Sequence, residues 1–98
     1  MAQFDDLIHQ PVRLKIMAAL KALPHGERLE FVRLRAIVDA TEGNLGAHIG
    51  TLEKAAYIVV EKDFLGKKPR TRIAISASGR VAFDQHVAYL RAILGSAG

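Results

Sequence analysis

The chain has 98 residues and no cysteine, and half of its residues are hydrophobic. A chain of this length builds one hydrophobic core, so we expect a single domain over residues 1–98. The absence of cysteine excludes disulfides, a thiol nucleophile and a cysteine-based zinc site. No apolar run approaches the ~20 residues of a membrane span, and the polar, acidic start is unlike a signal peptide, so the expected location is the cytoplasm.

Positive charge is concentrated in the last third of the chain. The net charge is +4. Residues 1–66 hold eight Lys and Arg against nine Asp and Glu, a net of −1, whereas residues 67–98 hold six against Asp84 alone, a net of +5. This asymmetry favours a surface that faces a polyanion; the alternative is a basic face exposed to solvent.

The first helix is predicted to begin at Pro11. Proline suits the first helical position because the missing N–H has no partner there. Apolar residues then recur at three- and four-residue steps as far as Leu23, which is typical of an amphipathic helix. A short extended stretch is expected over residues 28–31.

Two further helices are predicted over residues 32–38 and 42–55. Between them lies a turn over residues 39–41, and Thr41 is a credible N-cap for the second of the two. Two short helices joined by so tight a turn match the helix-turn-helix pattern.

A β-hairpin and a last helix complete the predicted order. Residues 57–60 and 70–76 have the composition and alternation of strands, with a loop over 64–69 between them. Ser78 is expected to cap a final helix that reaches about Leu94. The predicted fold is α+β and mainly helical: a winged helix-turn-helix with a two- or three-stranded antiparallel wing and a C-terminal helix.

Four stretches of the sequence carry a family resemblance. They are IHQPVRL at 8–14, then GNL, HI and LE within 43–53, PRT at 69–71 and SGR at 78–80. In this order and spacing the chain resembles the small winged-helix regulators related to the MarR and ArsR families. The resemblance implies binding to double-stranded DNA, usually as a dimer, with the third helix in the major groove.

The third helix departs from the pattern of those families. Gly46 stands where they commonly have Ser, Gly50 where they have a basic residue, and Ala56 where a Gly commonly precedes the aromatic residue. The first two changes remove polar groups expected to face DNA. Small side chains either let this helix lie deep in the groove, or reflect relaxed selection on an exposed face or contact with another protein element.

Candidate DNA-binding residues lie on the third helix and on the hairpin. Asn44 can pair with adenine, and Thr51 can contact a base edge, a phosphate or a thymine methyl. His48 either donates to a phosphate or is partly buried, and Arg13 either contacts a phosphate or pairs with an N-terminal aspartate. Lys67, Lys68 and Arg70 are expected at the hairpin tip, which either contacts DNA or serves as a solubilising loop. The full set is Thr41, Asn44, Ala47, His48, Thr51, Lys67, Lys68, Arg70 and Arg72.

The final helix carries two apolar stripes, and packing once against a core needs only one. The second stripe, formed by Ala82, Tyr89 and Ile93, suggests a homodimer interface together with apolar residues near the N-terminus. The alternative is that the N-terminal segment covers this stripe within one chain. The candidate interface residues are Phe4, Leu7, Ile8, Phe83, Val87, Tyr89, Leu90, Ile93 and Leu94.

Nothing in the sequence supports an enzyme. The four histidines form no metal-spaced pair, and there is no Gly-rich phosphate loop or nucleophile motif, so neither a metal nor another cofactor is expected. A small-molecule effector, if there is one, has to bind at a dimer cleft. The sequence therefore predicts a dimeric transcriptional regulator that binds double-stranded DNA; the alternative is a winged-helix module for protein interaction.

Overall fold

The computed structural model describes residues 2–97, and over these residues five helices pack around a three-stranded antiparallel sheet. The α+β, mainly helical architecture is the predicted one. In chain order the elements are α1 (Asp6–His9), α2 (Pro11–Lys21), β1 (Leu29–Glu30), α3 (Phe31–Val38), α4 (Glu42–Lys54), β2 (Ile58–Leu65), β3 (Lys68–Ile75) and α5 (Ala77–Ala97).

The helix-turn-helix unit is formed by α3 and α4, close to the predicted bounds. α3 ends at Val38 and is followed by Asp39, which adopts the left-handed conformation (φ +54°) that turns the chain out of a helix. The predicted N-cap is confirmed, because Thr41 Oγ1 accepts a hydrogen bond from the backbone N–H of Asn44 at 3.2 Å.

The hairpin is longer than predicted, and the expected loop over 64–69 is wrong. β2 continues to Leu65 and β3 begins at Lys68, so only Gly66 and Lys67 connect them. Gly66 has a φ of +67°, as in a type II′ turn, which places glycine at its first central position. Strand β1 pairs with the other side of β3, and the resulting order is β1-β3-β2.

The core lies between the helices and one face of the sheet. Its buried residues recur at helical spacing in α2, α3 and α4, and each strand contributes one more. They are Ile8, Ile16, Met17, Leu20, Leu29, Leu34, Val38, Leu45, Ile49, Leu52, Ile58 and Ile73. Ile8 was a candidate for the dimer interface; this is corrected, because its side chain is fully buried within the chain and offers no surface to a partner.

α5 is capped by Ser76, not by Ser78 as predicted. Ser76 Oγ accepts from the backbone N–H of Gly79 at 3.0 Å. Ser78 Oγ instead donates to the carbonyl oxygen of Ala56 at 2.7 Å, and Ser76 Oγ donates to the same oxygen. These bonds attach the first turn of α5 to the chain just before β2.

The N-terminal segment is held on α5 through buried His86. His86 Nδ1 accepts from the backbone N–H of Asp5 at 3.0 Å, and its Nε2 lies 3.3 Å from His9 Nδ1. Because Nδ1 is an acceptor, the proton of neutral His86 is on Nε2 and is donated to His9. Burial lowers the pKa of His86, and the nearby His9 lowers it further. Tyr57 extends the cluster by donating to Asp5 Oδ2 at 2.6 Å, which raises the pKa of Tyr57 to about 12.

Two positions at the junction of α4, β2 and α5 test this packing in opposite directions. A Cβ on Gly79 would lie 2.0 Å from the carbonyl oxygen of Tyr57, so Gly79→Ala should destabilise the fold by about 3 kcal/mol or more. Ala56 has a φ of +63°, so Ala56→Gly should stabilise it by about 1 kcal/mol and raise Tm by roughly 4–8 °C. Thermal unfolding followed by circular dichroism measures both. Equal Tm values for the two variants would contradict this account of the junction.

Candidate nucleic-acid interface

α4 presents a stripe of small and polar side chains to solvent. Asn44, Ala47 and Thr51 follow at three- and four-residue steps and therefore share a face. Asn44 is exposed, and within residues 2–97 its side-chain amide has no hydrogen-bond partner. Thr51 Oγ1 donates to the carbonyl oxygen of Ala47 at 3.2 Å, which leaves the hydroxyl oxygen as an acceptor. Thr41 lies at the start of this helix with its oxygen used in the cap.

His48 is half-buried beside this stripe and bound to α2. Arg13 Nη1 donates to His48 Nδ1 at 3.1 Å, while Arg13 Nε donates to the carbonyl oxygen of Leu7 at 2.6 Å. A guanidinium only donates, so the proton of His48 lies on Nε2. Burial, and then the charge of Arg13, lower the pKa of His48. His48 thus presents one neutral N–H group, and in the described chain Arg13 pairs with no aspartate.

A groove of about 620 Å³ separates α4 from the hairpin. Among residues 2–97, a Cβ added at Gly46 or Gly50 would meet no atom within 4 Å beyond its chain neighbours and the backbone of α4, so internal packing does not require glycine at either position. The missing side chains widen the groove. Its lining also contains Phe31, Glu42, Ile49, Glu53, Val60, Lys62 and Thr71.

α4 itself carries little charge that would attract DNA. Glu42, Glu53 and Lys54 are the charged residues of the helix beside neutral His48, a net of −1. An attractive field for phosphates therefore has to come from another element.

The register of the hairpin sorts its side chains into two faces. Side chains alternate along a strand, and directly opposed residues share a face. Val60, Lys62 and Thr71 line the groove, so their face is turned towards α4; Phe64 and its partner Pro69 continue the same face. The opposite face carries Glu61, Asp63, Leu65, Lys68, Arg70 and Arg72.

An ion-pair ladder crosses this opposite face. Arg70 donates through Nε and Nη2 to both carboxylate oxygens of Asp63, at 2.9 and 2.8 Å. Arg72 Nη2 lies 3.1 Å from Asp63 Oδ2 and 3.3 Å from Glu61 Oε1, and Arg28 pairs with Glu61 from the segment before β1. The Arg70 guanidinium holds the pKa of Asp63 below its usual range.

The ladder changes the assignment of the hairpin cations. Arg70 is not at the tip, as the sequence suggested, and it and Arg72 lie paired on the face away from α4. Lys67 in the turn, Lys68 beside it and Lys62 in the groove have no acidic partner within 4 Å among residues 2–97. These three are called the wing lysines below. Lys62 was missed, although its even spacing from buried Ile58 was the available signal.

The candidate interface residues of α5 and of the N-terminal segment fall into three groups. Phe4 packs its ring on His86 and Tyr89, with centroids 5.3 and 5.4 Å apart, so the N-terminal segment does cover part of the second stripe within the chain. Ile93 and Leu94, near the far end of the helix, are 48% and 72% exposed. The third group is half-buried and consists of Phe83, Val87 and Leu90 on α5 and Leu7 on α1.

Residues 12–94 match a family described as a winged helix DNA-binding domain. The chain belongs to this family. An uncharacterised protein of Methanocaldococcus jannaschii is 33% identical to this winged-helix domain over 81 residues, which are 83% of this chain and 85% of that protein. The family match over residues 12–94 confirms the resemblance to winged-helix regulators that was drawn from the sequence.

Solved structures support the same assignment. The transcriptional regulator homologue protein from Pyrococcus horikoshii OT3 superposes with a TM-score of 0.82 at 28% identity, over 92% of this chain and 86% of that one. NadR in complex with 4-hydroxyphenylacetate gives a TM-score of 0.69 at 16% identity, over 92% and 64% of the two chains, a likeness of fold alone. Among the helices of residues 2–97, none has the length and apolarity to cross a membrane.

The ladder predicts different responses from the two kinds of wing cation. Arg70→Ala should raise the pKa of Asp63 towards its ordinary value of 3.8, because the largest cause of the lowered pKa is the hydrogen bonding to Arg70. The double variant Lys67→Ala/Lys68→Ala should leave that pKa and the Tm unchanged, because neither lysine pairs with an acid. Carboxyl chemical shifts followed by NMR during acid titration measure the pKa. An equal change in both variants would show that Asp63 senses only the total charge of the hairpin.

Proposed function

We propose that this winged-helix domain regulates transcription by binding double-stranded DNA as a homodimer. In this proposal α4 enters the major groove, and the wing lysines contact phosphates or the adjacent minor groove. The observation that carries it is the placement of an exposed, uncharged α4 stripe beside a hairpin whose lysines lack acidic partners. Membership of a DNA-binding family and the likeness to a transcriptional regulator homologue support the same conclusion.

Affinity and sequence discrimination come from different elements. α4 offers three groups to base edges: the amide of Asn44, the oxygen of Thr51 and the Nε2–H of His48. With so few readers, discrimination between sites is expected to be modest. The wing lysines contribute chiefly through phosphates, which carry no sequence information directly.

A second candidate is a module for protein interaction. The groove beside Gly46 and Gly50 favours it, since its carboxylates Glu42 and Glu53 would repel a phosphate backbone. A protein segment with basic residues would suit this groove better than DNA. The two candidates differ in salt dependence, because only phosphate binding releases condensed counterions.

Salt dependence on a random-sequence duplex tests DNA binding. We expect log affinity to fall steeply with log salt concentration, and Lys67→Ala/Lys68→Ala to lower the magnitude of the slope by about 1.8, since each lost phosphate contact removes about 0.9. Asn44→Ala should keep the slope and weaken discrimination at one base position by ~1–3 kcal/mol. Fluorescence anisotropy at several salt concentrations measures the slope.

Lys15→Ala is the control for this experiment. Lys15 is exposed on α2. Its substitution removes one positive charge, as each of the two hairpin substitutions does, and leaves the hairpin unchanged. If Lys15→Ala reduced the slope as much per charge as the wing variant, the attraction would belong to the whole protein and not to the wing. Absence of salt-dependent binding in the unmodified protein would favour the protein-interaction module.

Dimerisation through α5 is the other testable part of the proposal. The helix has 21 residues, about 31 Å at 1.5 Å per residue, and carries exposed apolar side chains towards its far end. A two-fold axis there would set two α4 helices about 34 Å apart, one turn of DNA. Sedimentation velocity at micromolar concentration should show that the unmodified protein is a dimer and that Leu94→Asp is a monomer. Val81 is an exposed apolar residue near the start of α5, and Val81→Asp should still be a dimer. A monomer without any substitution would contradict it.

A further inference from the structure

The hairpin ends in two exposed apolar side chains. Phe64 and Leu65 are 68% and 63% exposed, directly before the turn. Each side chain leaves much of its apolar surface in water, so this surface contributes no hydrophobic stabilisation to the fold. Surface apolar residues are common singly, but an aromatic ring on a projecting hairpin with a net charge of +3 over residues 58–75 is positioned for an external contact.

Phe64 and Leu65 differ in the face that they occupy. Phe64 shares the α4-facing side of the hairpin with Lys62, and its cross-strand partner is Pro69. Leu65 lies on the opposite side with Lys68 as its partner. A ligand that contacts α4 and the hairpin together therefore meets Phe64 and not Leu65.

We propose that Phe64 is an apolar wedge that enters the minor groove and partly unstacks one base step, thereby kinking the DNA. The inference rests on the proposed function, since it requires duplex DNA against α4 and the wing. Charge complementarity supports DNA as the occupant: Lys62 on the same strand and Lys67 in the turn flank the ring and can contact phosphates beside the opened step. Apolar side chains inserted between base pairs, with cations on the adjacent backbone, are a physically sound way to bend a duplex.

An inserted aromatic ring and an inserted lysine are expected to prefer different DNA sequences. An A-tract is stiff and has a narrow minor groove whose negative potential attracts cations. Alternating A·T sequence contains TA steps, which unstack readily. Insertion of lysine therefore favours the A-tract, whereas insertion of Phe64 favours the alternating sequence.

Two duplexes of about 30 base pairs distinguish these mechanisms, one of alternating A and T and one with all adenines on a single strand. We expect the unmodified protein to bind the alternating duplex about fivefold more tightly and to shorten its end-to-end distance, measured by energy transfer between terminal dyes. Phe64→Ala should remove the preference and the shortening while the salt slope stays the same, because no charge is lost. Phe64→Leu, which keeps an apolar side chain, should retain part of both.

Leu65→Ala is the matched control, with similar exposure one residue away on the other face. It should retain the preference and the bend, and all three variants should keep the Tm because both positions are exposed. A preference for the A-tract duplex, or an equal effect of Phe64→Ala and Leu65→Ala, would overturn the wedge while DNA binding stands. An unchanged preference in Phe64→Ala would also overturn the wedge, because the ring would then not be the cause of the preference. Failure to bind either duplex would refute the proposed function itself.

Discussion

Gly66 closes the hairpin with a two-residue turn, and the arrangement of charges on the wing depends on that closure. A shift of one residue in the register would exchange the two faces of a strand. The carboxylates of Glu61 and Asp63 would then face α4, and Lys62 would move to the outer side. With the observed register, Asp63 stands opposite Arg70 and the acids are neutralised on the outer face. Lys62 remains on the side that faces α4, Lys67 lies in the turn, and both are without an acidic partner among residues 2–97.

The opposite end of the domain depends on close backbone packing and on neutral His86. Gly79 brings α5 against the carbonyl group of Tyr57, and the serines of the first turn hold the carbonyl of Ala56. His86 Nδ1 accepts from the backbone N–H of Asp5, and His86 Nε2 donates to His9. A proton added to Nδ1 would therefore point at the Asp5 N–H, and this hydrogen bond would be lost. Because the pKa of His86 is lowered in the folded chain, the unfolded chain takes up the proton first as pH falls below about 6.5, and stability decreases in that direction. The same contacts hold Phe4 on α5, next to the surface proposed for dimerisation.

Helical periodicity predicts α2 to α5 well, although the cap of α5 is Ser76 and not Ser78, whereas properties that depend on pairing between strands are not visible in the sequence. Thr41 is the cap because its side-chain oxygen lies within reach of the unpaired backbone N–H of Asn44. This contact spans only three residues, so the sequence alone can indicate it. The hairpin loop was overestimated because Pro69 is a poor strand residue in general. β1 reaches only as far as Arg72 on β3, so Pro69 has β2 on one side and an open edge on the other, where a missing N–H costs nothing. Arg70 looked like an unopposed charge because Asp63, seven positions earlier, becomes its partner only in the observed register.

The ladder also gives the wing a mechanical property that the proposed contacts require. Ion pairs run from Arg28 before β1, through Glu61 and Arg72, to Asp63 and Arg70 near the tip, so the same network joins the base of the hairpin to its outer half. Each exposed pair stabilises the fold little by itself. A connected set that crosses strands nevertheless resists relative sliding, because one shift would break several pairs together. A hairpin of eight-residue strands held in this way can keep an aromatic side chain at a fixed distance from α4, which a flexible basic loop of the predicted kind would not do.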